Sequence, residues 1–300
     1  MKSLDELVEA IDRTNRQTVA VAQAADLEVL KAVKMALDQK LARFVLTGEE
    51  SALKKCAADA GLSLDHSDIH WKRAEAGESA RLAVQAVAEG EADVLMKGHV
   101  DTKTLLQAVL HKEYGLKKRK VLSHVALFEI PGRDQLIYLT DAAMNIQPTL
   151  EEKVEIVHNA VEVARKAGWD NPKVAALAAV EAVNPKMPAS TDAALLAQMN
   201  RRGQIRGCVI DGPLAFDNAV DREAAEHKNI QSEVAGQADI LVVPTIETAN
   251  ALYKSFVYFA HAKVAGVISG AAAPIVLTSR ADDAQSKIYS LALALKASQS

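Results

Sequence analysis

The chain has 300 residues, 49% of them hydrophobic and 25% charged, with a formal net charge of −4. That length favours two lobes or one large α/β unit over a single small core, and the charge balance excludes a disordered chain and gives no basic surface for nucleic acid. No apolar run reaches the roughly 18 residues of a membrane span and no secretory signal opens the chain, so the expected location is the cytoplasm.

Short β-branched apolar runs alternate with longer helical patterns, the signature of βαβ units and a mostly parallel sheet. Strands are predicted at 18–22, 43–47, 93–96, 121–130, 135–139, 173–178, 207–210, 239–243, 264–269 and 274–278. Pro131-Gly132-Arg133-Asp134 separates the fourth and fifth of these and predicts an antiparallel hairpin. Thr149 and Glu152 form a capping box for a helix over 149–167, with Leu150, Val154, Val157, Val161 and Ala164 on one face. Thr245 is placed to cap a helix whose apolar stripe is Ile246, Ala249, Leu252, Tyr253, Phe256 and Ala260, so that Asn250 and Lys254 share its flank. Ile288, Leu291, Ala292 and Leu295 mark a last helix, capped by Ser279 or Asp283.

The chain lacks the glycine-rich nucleotide fingerprints, the zinc-protease helix motif and the esterase elbow. Its eight histidines have no ligand spacing, and Cys56 and Cys208 are too few for a disulfide framework or a cysteine-rich zinc site, so no metal is expected. Both cysteines read as small buried apolar residues.

Polar clusters follow predicted strands, where open α/β sheets place ligands. Met96 to Thr102 can hold a phosphate on backbone N–H groups and Lys97, or it is a turn with an Asp101 cap. Thr140 to Pro148 places Asp141 and Asn145 at a strand end, as ligand groups or as bonds to their own loop. Asp211-Gly212-Pro213 reads as a turn where backbone can approach a ligand, or as a plain turn. Pro274 to Asp283 carries Ser279, Arg280, Asp282 and Asp283; the Arg280 fork suits a phosphate or oxyanion, or it pairs with a neighbouring aspartate. The basic run Lys117-Lys118-Arg119-Lys120 attracts cofactor phosphates or is a solvated face.

Taken in order, Leu95–Gly98, Leu122-Ser123-His124-Val125, Thr140–Asn145, Asp211–Leu214, Asn250–Lys254 and Pro274–Arg280 resemble the phosphate acetyl/butyryl transferase family, its butyryl branch in particular. The resemblance implies a two-domain α/β fold with mostly parallel sheets flanked by helices, similar to isocitrate and isopropylmalate dehydrogenases, with the active site in the interdomain cleft. One lobe would be 1–130 plus 272–300 and the other 131–271. The implied substrates are acyl-CoA and inorganic phosphate, with coenzyme A as a substrate, no tightly bound cofactor and no metal; the implied assembly is a homo-oligomer. Ser279 and Arg280 map to the reaction centre, and Lys97, Ser123, His124, Asn145, Gly212, Asn250 and Lys254 to substrate or phosphate binding. Related acetyl enzymes place a basic aspartate seven positions after the serine, where this chain has Ser286; Asp283 and Asp141 are the carboxylates left for that role.

Overall fold

The computed structural model describes residues 1–75, 77–277 and 282–299. Its strands are β1 (Thr18–Ala22), β2 (Arg43–Gly48), β3 (Ile69–Arg73), β4 (Val94–Lys97), β5 (Ser123–Glu129), β6 (Ile137–Thr140), β7 (Lys173–Leu177), β8 (Val209–Leu214), β9 (Ile240–Val242), β10 (Lys263–Ser269) and β11 (Ile275–Val276). The helices are α1 (Leu4–Glu9), α2 (Leu27–Asp38), α3 (Glu50–Asp59), α4 (Ser79–Ala88), α5 (Thr102–Val109), α6 (Leu150–Lys166), α7 (Pro188–Arg201), α8 (Phe216–Val220), α9 (Arg222–His227), α10 (Ile246–Tyr258) and α11 (Ala284–Ser298). They group into two compact units, Leu4–Arg119 with Ala265–Ser300, and Met1–Ser3 with Lys120–Val264.

In the unit that contains the first helix, the strand order is β3-β2-β1-β4-β11-β10. Among the described strand pairs of this unit, β10–β11 is antiparallel and the others are parallel. Val19 to Ala22 are all buried, the continuous apolar run of a parallel strand covered on both faces. The edge strand β3, Ile69-His70-Trp71-Lys72-Arg73, has no buried residue. It escaped the strand predictions because an edge strand needs neither apolar alternation nor a buried face. Of the predicted 274–278 strand, Ile275 and Val276 are β11, while Thr278 lies outside the described residues.

The other unit has the order β5-β6-β9-β7-β8. The predicted hairpin is present, with Val125 opposite Thr140 and Phe128 opposite Ile137. It lies whole within this unit. The remaining pairs are parallel. Phe128, Leu139, Leu241, Val243 and Phe256 are central to its core. The capping box forms as predicted: Thr149 Oγ1 accepts from Glu152 N at 3.3 Å, and Glu152 Oε2 from Thr149 N at 2.8 Å. The buried face of α6 nevertheless includes Lys153 and Asn159, which no apolar pattern can register.

Asp211-Gly212-Pro213 is a correction. These residues continue β8 rather than turning, and the register with β7 shifts between Ala175 and Leu177. A Cβ on Gly212 would lie 2.7 Å from Ala176 O and 2.9 Å from Ala176 Cβ. The close approach that demands glycine here is to the neighbouring strand. The Thr140–Asp141 and Gly212–Pro213 peptide bonds are cis.

Candidate active site

Lys97 ends β4 with 7% of its surface exposed. Its Nζ donates to Gly98 O at 3.3 Å and Val100 O at 3.1 Å, which curls the loop around the ammonium. The loop is fixed to the preceding β1 turn, since Gly98 N donates to Ala22 O at 2.8 Å and His99 N to Gln23 O at 2.7 Å. Asp101 is the N-cap of α5 and accepts from Thr104 N at 2.8 Å and Thr104 Oγ1 at 2.5 Å. The Thr104 hydroxyl and then its N–H hold the Asp101 carboxyl below the usual carboxylate value. The cap reading of Asp101 is thus realised, with Lys97 as the cation at the strand end.

In the other unit, Asp141 follows β6, is 4% exposed, and organises the next turn. Its Oδ1 accepts from His124 N at 3.1 Å, Ala143 N at 3.0 Å and Met144 N at 3.1 Å. Its Oδ2 accepts from Asn145 N at 3.1 Å and Asn145 Nδ2 at 2.6 Å. Five donors occupy the lone pairs of one carboxylate, so Asp141 positions the loop and has no free direction in which to take a thiol proton. Asn145 Nδ2 also donates to Leu122 O at 2.9 Å, tying the turn to the start of β5.

Ser123 and His124 separate in role. Ser123 is fully buried and its Oγ accepts from Asn159 Nδ2 at 2.9 Å. It joins β5 to α6. His124 is 9% exposed, and its Nδ1 is buried with no hydrogen-bond partner. Burial lowers the imidazole pKa, with the Asp141 charge opposing, so His124 is neutral at pH 7 and offers a polar edge rather than a cation.

On α10, Asn250 and Lys254 are exposed on the predicted flank. Lys254 Nζ lies 5.7 Å from the Tyr253 ring and 5.9 Å from that of Tyr258, a cation–π arrangement. The Tyr253 ring in turn lies 6.1 Å from His124 and packs edge-on to Phe128 at 5.2 Å. This aromatic sequence brings the β5 motif and the α10 motif together. Tyr253 belongs to the predicted apolar stripe and to the Asn250–Lys254 segment; its hydroxyl and its place between Asn250 and Lys254 are the signal in the sequence. Thr245 holds the N-cap position of α10, but its side chain makes no capping bond.

Asp283 caps α11, with Oδ1 accepting from Ser286 N at 2.8 Å. Ser279 and Arg280 lie outside the described residues. Cys208 is buried and its thiol is pushed up to about 11, chiefly by burial, so it carries no thiolate at neutral pH. Among the described residues no group of three or more His, Cys, Asp or Glu side chains could hold a metal ion. No described helix is long and apolar enough to cross a membrane.

A cavity of about 1110 Å³ opens beside Thr18, Arg43, Ile69 and Asp93, at the amino ends of β1 to β4. It is large, but it lies at the opposite end of the strands from the motif residues. Its Arg16 is already paired with Asp68 through Nη1–Oδ2 at 2.5 Å and Nη2–Oδ1 at 3.0 Å.

Residues 70–295 match the family model described as phosphate acetyl/butaryl transferase. The chain is similar to a protein of Bacillus subtilis named probable phosphate butyryltransferase, at 54% identity over 99% of this chain and 98% of the relative. It is similar to phosphate acetyltransferase of Thermotoga maritima, at 44% identity over 97% of this chain and 98% of that one. A branched-chain phosphotransacylase from Enterococcus faecalis superimposes with a TM-score of 0.82 and 40% identity, over 94% of this chain and 99% of that one. With its sheets, its strand-end motifs and these full-length likenesses in agreement, the chain belongs to the phosphate acetyl/butaryl transferase family.

Proposed function

We propose that the protein transfers a short acyl group between coenzyme A and inorganic phosphate, with butyryl-CoA as the preferred thioester. The observation that carries this reading is the full-length likeness to a butyryltransferase relative. The Lys97 and Asp141 loops support it by placing a cation and an ordered polar turn at strand ends. The likeness to an acetyltransferase keeps acetyl-CoA as the second reading.

Phosphate is an anion near neutral pH and needs no strong base to attack the thioester carbon. As the new C–O bond forms, the carbonyl becomes an oxyanion; its collapse breaks the C–S bond and releases CoA thiolate. The parent thiol has a pKa of about 8.5, so it leaves with little acid assistance. What remains is to bring two anions together and stabilise the oxyanion. In this reading Arg280 and Ser279 serve the oxyanion, and Lys97 and Lys254 neutralise phosphate. Asn145, His124 and Asn250 supply uncharged polar contacts. In the reverse direction Asp283 takes the thiol proton, since Asp141 is committed to its loop. Homo-oligomer formation is part of the proposal, supported by the exposed Tyr258 and Phe259 at the end of α10, 68% and 86% accessible.

The deciding experiment is phosphate-dependent release of CoA thiol from acetyl-, butyryl- and branched acyl-CoA, with and without a chelator. Fast release that needs phosphate, ignores the chelator and favours the four-carbon thioester is expected. Absence of release from every thioester would overturn the reading.

A further inference from the structure

Within the unit Lys120–Val264, a cavity of about 450 Å³ is walled by Pro148, Met187, Pro188, Ala189, Pro244 and Thr248. That volume falls in the range of small-ligand sites, about 300–1,000 Å³; Gln147, Thr149 and Thr245 also line it, and the surface it presents is mainly apolar. Lys153 and Asp192 also line it, joined Nζ to Oδ2 at 2.6 Å with Lys153 buried. The same pair lines a second void of about 10 Å³, whose other walls include Leu177, Leu196 and Val242. This smaller space holds about one water. The ion pair therefore stands between a roomy apolar cavity and an apolar void at the ends of β7 and β9.

We infer that the larger cavity receives the acyl chain of the thioester and that the Lys153–Asp192 pair sets how long a chain it accepts. This rests on the acyl-transfer reading and adds the site of chain selection to it. The cavity adjoins two motif segments. Pro148 lies three residues beyond Asn145, on the turn that Asp141 organises. Thr248 opens α10, which carries Asn250 and Lys254. Ile246 N donates to Ile146 O at 3.0 Å, which ties the turn to the helix start. Methylenes gain by leaving water for proline, alanine and methionine walls, and the unbranched Met187 side chain can repack around a branched chain. Hydrocarbon that reaches the ion pair gains nothing, because it would strip the remaining solvation from both charges.

The test is kcat/KM of the full-length enzyme for acetyl-, butyryl- and hexanoyl-CoA at saturating phosphate. Ala189→Phe fills the cavity and is expected to lower the butyryl-to-acetyl ratio by about 10-fold or more, the effect of one to a few methylenes. The double variant Lys153→Met/Asp192→Leu removes both charges together and makes the floor apolar, so that hydrocarbon reaching it no longer desolvates an ion pair. It is expected to raise the hexanoyl-to-butyryl ratio by about 10-fold. Thr248→Trp, on another wall, serves where Ala189→Phe fails to fold. Ratios equal to wild type in the folded variants would overturn the inference while leaving the acyl-transfer reading standing. A wild-type enzyme that releases no thiol from any of the three would instead remove that reading, and the inference with it.

Discussion

Asp141 and Asn145 lock the turn beyond β6 from within, because one carboxylate oxygen of Asp141 accepts both the backbone N–H of Asn145, at 3.1 Å, and its side-chain N–H, at 2.6 Å. In Asp141→Asn one oxygen becomes an amino group that faces donors. The variant is expected to lose about 2–4 kcal/mol, the cost of leaving buried donors unpaired. The urea midpoint measures this. An unchanged midpoint with abolished turnover would return Asp141 to the role of base.

Arg280→Ala is expected to lower kcat by about 10²–10³, the usual result of removing an oxyanion donor. Lys254→Met should act differently, raising KM for phosphate, because its exposed ammonium meets the anion before the transition state. Initial rates at varied phosphate separate the two effects. Unchanged turnover in Arg280→Ala would sink the proposed mechanism.

Asp283 titrates below the ordinary aspartate value of 3.8, because the N–H and then the hydroxyl of Ser286 bond its carboxylate. A carboxyl depressed on folding stabilises the protein above its unfolded pKa and loses that contribution as pH falls through the folded one. Asp283→Ala should therefore cost about 1 kcal/mol at pH 7, as for other N-caps. The difference from wild type should shrink below pH 3.8, which denaturant midpoints at the two pH values would show. As a base Asp283 is ionised above pH 5, so the CoA-consuming direction should show no acid limb from it between about pH 5 and 8.

Gly98 has no room for a side chain. A Cβ there would lie 2.2 Å from Gln23 O and 2.7 Å from Ala22 O, both backbone atoms that cannot swing aside. Gly98→Ala should destabilise by about 2–3 kcal/mol through forced backbone shifts and displace the carbonyls that hold Lys97. Thermal melts and KM for phosphate would register the two consequences.

Cys208 should react with a thiol reagent only after unfolding, since its buried thiol is protonated at neutral pH. Cys56, partly exposed, should react in the native state. Cys208→Ala is expected to retain turnover; its loss would point to covalent acyl transfer through sulfur.

The alternation of strand and helix, the hairpin around Pro131-Gly132, the Thr149 capping box and the ordered motif segments were all legible before folding. Each depends on neighbours within a few residues, where backbone geometry and side-chain period act directly. The edge strand β3 was not legible, because its residues need bury no face, and Gly212 misled because a glycine serves a turn or a tight strand contact equally well.

The roles of individual polar residues were decided by tertiary structure alone. Nothing local distinguishes Lys153 from a solvated helix lysine until the partly buried Asp192, 39 residues away, meets it. Ser123 and His124 are adjacent in sequence, yet one is bound to Asn159 inside the fold and the other keeps a partnerless nitrogen beside Tyr253. Sequence by itself determined the alternation of strand and helix and the chemical inventory, since these follow from local pattern. Which oxygen or nitrogen stays free for chemistry is set by donors and acceptors brought in from distant segments, and only the folded chain supplies them.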